Sequence, residues 1–310
     1  MDGSHLAEIL IQEGYKVYGL MRRSSTDNTW RIKNILKDIE IVTGDLTDQA
    51  SLIKAIKVIK PDEVYNLAAQ SYVGASWDNA EYTMDVNAIG VLRLLEAIRL
   101  TSNPSTRVFQ ASSSEQFGKV RETPQKETTP FYPRSPYGVS KCSAHQICVN
   151  YRESYNMFIS TAISFNHTSY RRGLEFVERK ISHGVAEIGI GNAWNIKLGN
   201  LSPKRDWSWA PEFCKMFWIM LQKDKPDDYV LSSGETHSVE EFVIEAFKCI
   251  EIEDWQNYVI QDPKFMRPAE VDYLLGDSTK AQVELGFAPK MKFKDIVSEM
   301  VNSDIELLKQ

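Results

Sequence analysis

Tyr137 and Lys141 stand four positions apart in the run SPYGVSK, a spacing that puts phenol and ammonium on one face if the segment is helical. An ammonium near a phenol favours phenolate, so the pair is expected to bring the tyrosine below its free value of about 10. That would make Tyr137 a proton acceptor near neutral pH. The same spacing is common on solvated helices, so context decides. About 23 residues upstream, the run QASSSEQFG carries Ser112, Ser113, Ser114 and Glu115 at the end of an apolar stretch. A serine hydroxyl there can share a substrate oxygen with the tyrosine, and Glu115 adds a separate base beside a hydride-transfer centre. One or two of the serines fit a helix-capping role instead.

These residues need elements to hold them together. Apolar, β-branched runs recur at 16–23, 39–46, 63–69, 107–114 and 158–165, separated by helical patterns such as SLIKAIKVIK and AIGVLRLLEAIRL. The alternation predicts βαβ crossovers, hence an α/β fold with a doubly wound parallel sheet. In such sheets ligands sit at the carboxyl ends of the strands. Here those ends read RRSS, GDL, LAAQS, ASSSE and FNH. Arg22 and Arg23 close the first run, where a site for NAD would usually carry an acid toward the ribose 2′-hydroxyl. Cations fit a 2′-phosphate, so the reading is NADP. Beyond residue 166 the rhythm changes, with one more strand-like run at 229–234. We therefore expect a dinucleotide-binding domain over 1–166 plus about 229–234, and a smaller substrate lobe from 167–228 and 235–310.

The chain of 310 residues, 43% hydrophobic, is long enough for a sizeable core. Its 36 basic and 42 acidic residues give a net charge of -6 with no basic stripe, which argues against a nucleic-acid partner. Cys142, Cys148, Cys214 and Cys249 show no paired spacing, so they read as buried thiols of a reducing compartment, with no metal site. No run approaches a membrane span and no signal peptide is evident, so a soluble cytoplasmic protein is expected. The sequons at Asn166 and Asn200 carry no weight without a secretion signal.

The segment ASSSEQFGKVRETPQKETTPFYPRSPYGVSK resembles the matching segment of the GDP-mannose 4,6-dehydratases, of the extended short-chain dehydrogenase/reductase superfamily. RRSS, GDLTD, YNLAAQS, FNH, RRG, RKIS, SGETHSV and RPAEVD follow in the family's order, so the resemblance spans nearly the whole chain. It implies a Rossmann-type domain binding NADP and a C-terminal lobe binding GDP-mannose. The product implied is GDP-4-keto-6-deoxy-mannose, with no net redox change. Tyr137 would take the C4 hydroxyl proton while Ser113 holds that oxygen. Lys141 would hold the nicotinamide ribose, and Glu115 would remove the C5 proton and assist loss of the C6 hydroxyl.

By the same resemblance, Gly3, Arg22, Arg23, Asp45, Leu46, Leu67, Ala68, Ala69, Gln70, Ser71, Tyr82, His167 and Arg172 would join Tyr137 and Lys141 around the cofactor. Ser76, Asn166, Lys180, Arg205, Arg267 and Glu270 would hold the substrate. Most of the family has Thr where Ser113 stands, and HTSYRRG and RDWSWAPEF also depart from its pattern. A homodimer or homotetramer is implied.

Asp2 and Gly3 match the end of the family's glycine-rich turn, so the first strand and most of that turn are expected to be missing from this sequence. Two neighbouring strands would then lack a partner. Two rival functions follow: a non-catalytic binder of nucleotide sugars, or a related epimerase or reductase.

Overall fold

The computed structural model describes residues 1–101 and 105–309. The strand-like runs become β1 (Val17–Met21), β2 (Ile39–Thr43), β3 (Glu63–Asn66), β4 (Arg107–Ala111) and β5 (Ile159–Ser164). Short strands follow: β6 (Asn166–Thr168), β7 (Ile196–Leu198), β8 (Lys204–Arg205) and β9 (Trp207–Trp209). The set closes with β10 (Asp228–Leu231), β11 (His237–Ser238) and β12 (Val259–Gln261). The helices are α1 (Asp2–Gln12), α2 (Gln49–Ile59), α3 (Ala80–Met84), α4 (Gly90–Thr101) and α5 (Pro136–Tyr155). After them come α6 (Val177–Gly189), α7 (Ala210–Leu221), α8 (Val239–Lys248), α9 (Thr279–Leu285) and α10 (Phe293–Leu308).

The sheet strands are parallel throughout, as the long crossovers require, in the order β10-β5-β4-β3. β1 pairs with β2 in a separate two-stranded sheet, Val17 opposite Ile39. Among the described residues no strand pairing joins β1 to β3.

Strand alternation sends side chains to two helical layers. Phe109 and Ala162 pack with Leu6 and Leu10 of α1 and Phe213 and Phe217 of α7. Their neighbours Val108 and Ile159 face the other way, against α2, α4 and α5 through Leu52, Leu95 and Cys148. On the first face the rings of Phe109 and Phe217 stack at 4.3 Å, fixing α7 across β4. α7 thus belongs to the sheet's core, whereas the sequence reading put 167–228 in the smaller lobe. α9 joins the same core through Ala281 and Leu285, again outside the expected lobe. Their apolar faces match the sheet, a preference that a change of sequence rhythm does not reveal.

The lobe has its own core, where α6, α8 and α10 close on Trp207 and on β7 and β12. Within it Arg179 pairs with the fully buried Asp304 at 2.6 Å, and Ser182 donates to the same carboxylate at 2.7 Å.

Candidate active site

The reactive residues stand where β4 meets α5. β4 ends at Ala111, and Ser113 in extended backbone opens a tight turn over Ser114–Gln116. Its Oγ accepts from the Glu115 amide at 3.2 Å, so Ser113 is a cap as well as a candidate site residue. α5 starts with Ser135, whose Oγ accepts from Gly138 N at 3.0 Å, followed by Pro136. That start puts Tyr137 in the first turn and Lys141 one turn on. Behind them, His145 Nδ1 lies 3.3 Å from Ser112 Oγ and 3.1 Å from Thr161 Oγ1. Thr161 in turn donates to Asp228 at 2.6 Å, and Gln116 Nε2 donates to Ser112 at 3.1 Å. This buried network ties the turn that carries Glu115 to the sheet.

Tyr137 differs from the expectation drawn from its spacing. Burial pushes its hydroxyl up to about 12; a hydrogen bond with Ser113 pulls it down and the Glu115 charge pushes it further up. Lys141 is not the partner that corrects this. Its Nζ donates to Ala111 O at 3.0 Å and lies 5.9 Å from the Tyr137 ring centre. Burial itself brings the ammonium down to about 8.

Glu115 opens a chain of alternating charges. Its Oε1 lies 3.5 Å from Arg267 Nη1, which lies 3.3 Å from Glu270 Oε1. Arg205 Nη2 reaches the same Glu270 oxygen at 2.9 Å. Burial pulls Arg205 below the usual guanidinium value against the Glu115 and Glu270 charges, while Arg267, also desolvated, is raised by those two carboxylates.

A third group lies near α1. Asp2 Oδ2 sits 3.3 Å from His167 Nε2, and the imidazole stacks on Phe213 at 4.7 Å with Nδ1 2.9 Å from Phe165 O. Burial would raise the Asp2 carboxyl; His167 and Arg172 override it and hold the group below the usual carboxylate range. Arg172 also pairs with Glu178 at 3.1 Å.

All three groups line one cleft of about 500 Å³, between the carboxyl ends of β3, β4 and β5 and the lobe. Ser113, Glu115, Tyr137 and Lys141 share it with Leu67, Ala69, Ser71, His167 and Arg172. Asn166, Lys180, Arg205, Arg267 and Glu270 complete its lining among the residues singled out from the sequence.

Others lie elsewhere. Arg22 donates to Tyr82 OH at 2.7 Å on the surface beyond β1, with Arg23 exposed beside it. Asp45 accepts from Thr47 N at 2.9 Å, shaping the turn after β2, and Leu46 is buried. Gly3 faces Leu67, whose Cδ1 would lie 3.8 Å from an added Cβ. Gln70 donates to Tyr72 O and to Thr83 Oγ1 of α3, both at 3.1 Å, and neither it nor Ala68 lines the cleft. Ser76 is a correction: fully buried, it donates to Val73 O at 2.7 Å and does not face the cleft.

The sequence reading missed Asp2 as a partner of His167, and Phe265, whose ring lies 3.4 Å under Lys180 Nζ. Phe265 stands two positions before Arg267, the only signal that would have found it.

A nicotinamide dinucleotide fits the lining. The Tyr137 and Lys141 wall faces the Leu67–Ser71 loop, and buried Asp2 Oδ1 has no hydrogen-bond partner among the described residues.

A family model described as GDP-mannose 4,6 dehydratase matches residues 1–300. A GDP-mannose 4,6 dehydratase of Cricetulus griseus is 48% identical over 333 residues, covering 99% of this chain and 90% of the relative. Among solved structures, UDP-glucose 4-epimerase from Thermus thermophilus in complex with NAD superposes with a TM-score of 0.85 at 22% identity, covering 98% and 96% of the two chains. RMD from Pseudomonas aeruginosa complexed with NADPH superposes at 0.79 and 22% identity, covering 94% and 100%. At such identities the likeness is one of fold, the Rossmann-type sheet with its appended lobe.

Proposed function

The chain belongs to the GDP-mannose 4,6-dehydratase family, and we propose that its cleft converts GDP-mannose to GDP-4-keto-6-deoxy-mannose. The observation that carries this reading is the convergence of Ser113, Glu115 and Tyr137 in one cleft with Arg205 and Arg267. A nicotinamide dinucleotide supplies the hydride acceptor for C4 and the donor for C6. Leu67, Ala69, Ser71, Lys141, His167 and Arg172 would hold it.

Tyr137 takes the C4 hydroxyl proton, while Ser113 holds that oxygen in place. With its resting value near 12, Tyr137 needs help to act at neutral pH. The Ser113 hydrogen bond and the Arg172 charge are the contributions the chain itself makes, and a further cation nearby would add to them. Once C4 is a ketone, the C5 proton is acidic. Glu115 removes it, a C5–C6 double bond forms, and the C6 hydroxyl departs as water with the proton returned by Glu115. Hydride addition at C6 would then be balanced by a proton at C5, equal to the one Tyr137 took from the C4 hydroxyl, so the site ends as it began. An epimerase would have no use for a carboxylate at this place, which favours elimination. The two arginines and Lys180 suit a diphosphate, which guanidinium forks bind in bidentate fashion.

We read the cofactor as NADP, since Arg22 and Arg23 stand at the strand end where a 2′-phosphate would lie. Replacing both with Ala should cut the preference for NADP over NAD at least tenfold, measured as the ratio of dissociation constants. A dimer or tetramer in the cytoplasm fits this reading, and among the described residues no helix is long and apolar enough to cross a membrane.

The test is incubation with GDP-mannose and NADP, followed by NMR. A 4-keto-6-deoxy sugar without net NADPH is expected; a C4 epimer or a reduced sugar would overturn the proposal.

A further inference from the structure

Arg267 stands between the two halves of the cleft. One nitrogen, Nη1, faces both Glu115 at 3.5 Å and Glu270 at 3.3 Å, longer than the roughly 2.7–2.9 Å of a settled charge-assisted bond. Its side chain keeps 29% of its surface exposed, toward the cleft. Arg205 is the opposite case. Its Nη2 reaches Glu270 at 2.9 Å, its Nη1 donates to Val271 O at 2.6 Å and Lys204 O at 3.0 Å, and the residue is buried. Glu270 is also satisfied without Arg267, since its Oε1 accepts from Arg205 and from Val271 N at 3.0 Å. Glu115 has no such reserve: among the described residues its only ion-pair partner is Arg267.

We propose that Arg267 is a latch on the base, paired with Glu115 in the free enzyme and drawn away by the diphosphate of the bound nucleotide sugar. This rests on the reading of the cleft as a nucleotide-sugar site and deepens it. A diphosphate offers Arg267 two short bonds in place of two long ones, while Arg205 and Glu270 keep their geometry. Glu115 then loses its cation and faces the C5 proton as an unpaired carboxylate. While the ion pair holds, Glu115 Oε1 is engaged by the guanidinium and not by the substrate, so the base is kept from the C5 proton until a complete substrate is seated. Arg267 is thus a positioning residue that acts through Glu115.

The experiment follows the Glu115 side-chain carboxyl carbon by NMR in protein labelled with 13C-glutamate, the signal assigned by its loss in Glu115→Gln. Titrations use GDP, inorganic pyrophosphate and guanosine, with binding measured in parallel by calorimetry. GDP and pyrophosphate should move the signal; guanosine should leave it in place. In Arg267→Gln the signal should start at the GDP-bound position and stay there.

A wild-type signal that does not move at calorimetric saturation with GDP overturns the latch and leaves the nucleotide-sugar reading intact. So does an Arg267→Gln signal that still moves as in the wild type. Absence of GDP binding overturns the reading and the latch with it. The wild-type titrations stand on their own if the variant does not fold.

Discussion

Tyr137 is held above its ordinary range by the packing that brings it to Ser113, because contact with the turn also removes it from water. Of its neighbours, Ser113 favours the phenolate and Glu115 opposes it, so the two can be separated by substitution. Glu115→Gln removes a negative charge and should lower the Tyr137 value, read by ultraviolet titration with Tyr137→Phe subtracted. An unchanged or higher value would contradict the assigned causes. Ser113→Ala removes the favourable bond, should raise that value, and should cut kcat by about a hundredfold, with Ser113→Thr restoring most of it. The sequence made Tyr137 and Lys141 legible through their distance along one helix. It did not make legible that Lys141 spends its proton on Ala111 O, since that depends on where β4 ends relative to α5. The direction of the tyrosine's shift was hidden for the same reason, burial being a property of the assembled molecule.

The turn between β4 and α5 is where local backbone decides whether the base is in place. Gly118 lies just after it with φ at +52°, and an added Cβ would come 2.0 Å from Tyr132 O. Neither the dihedral nor the space suits a side chain. Gly118→Ala should destabilise the protein by about 2–4 kcal/mol, visible in the urea midpoint, and should lower turnover beyond the loss of folded protein. The strand runs and their carboxyl ends were legible, because short β-branched and apolar runs alternate with helical patterns along the chain. α7 was assigned to the wrong part because an apolar helix fits either core, and what selects the sheet is the match of Phe217 to Phe109. Ser76 was misplaced for a related reason: sequence order cannot say whether a hydroxyl turns to a ligand or back to its own chain.

In the molecule as a whole, the lobe that forms the far wall of the cleft is held by α6 and α10 through Arg179 and Asp304. Burial raises the Asp304 carboxyl above its ordinary value, against the pull of Ser182 and Arg179. A raised acid stabilises the fold below its unfolded value of about 3.9 and loses that contribution as pH rises through the folded value. Arg179→Met removes the lowering charge, so the loss should deepen: about 3–5 kcal/mol at pH 8 and less at pH 5, compared by urea midpoints. Equal losses at both would place the effect in packing alone. A different consequence follows from the separation of β1 and β2 from the four-stranded sheet. Among the described residues no strand pairing joins the two sheets, so they form no continuous ladder, and the smaller is free to open as its own cooperative unit. In native-state amide exchange, Val17–Met21 should therefore exchange at a lower free energy than Ile159–Ser164, so the surface that carries Arg22 and Arg23 would breathe while the reacting end stays closed.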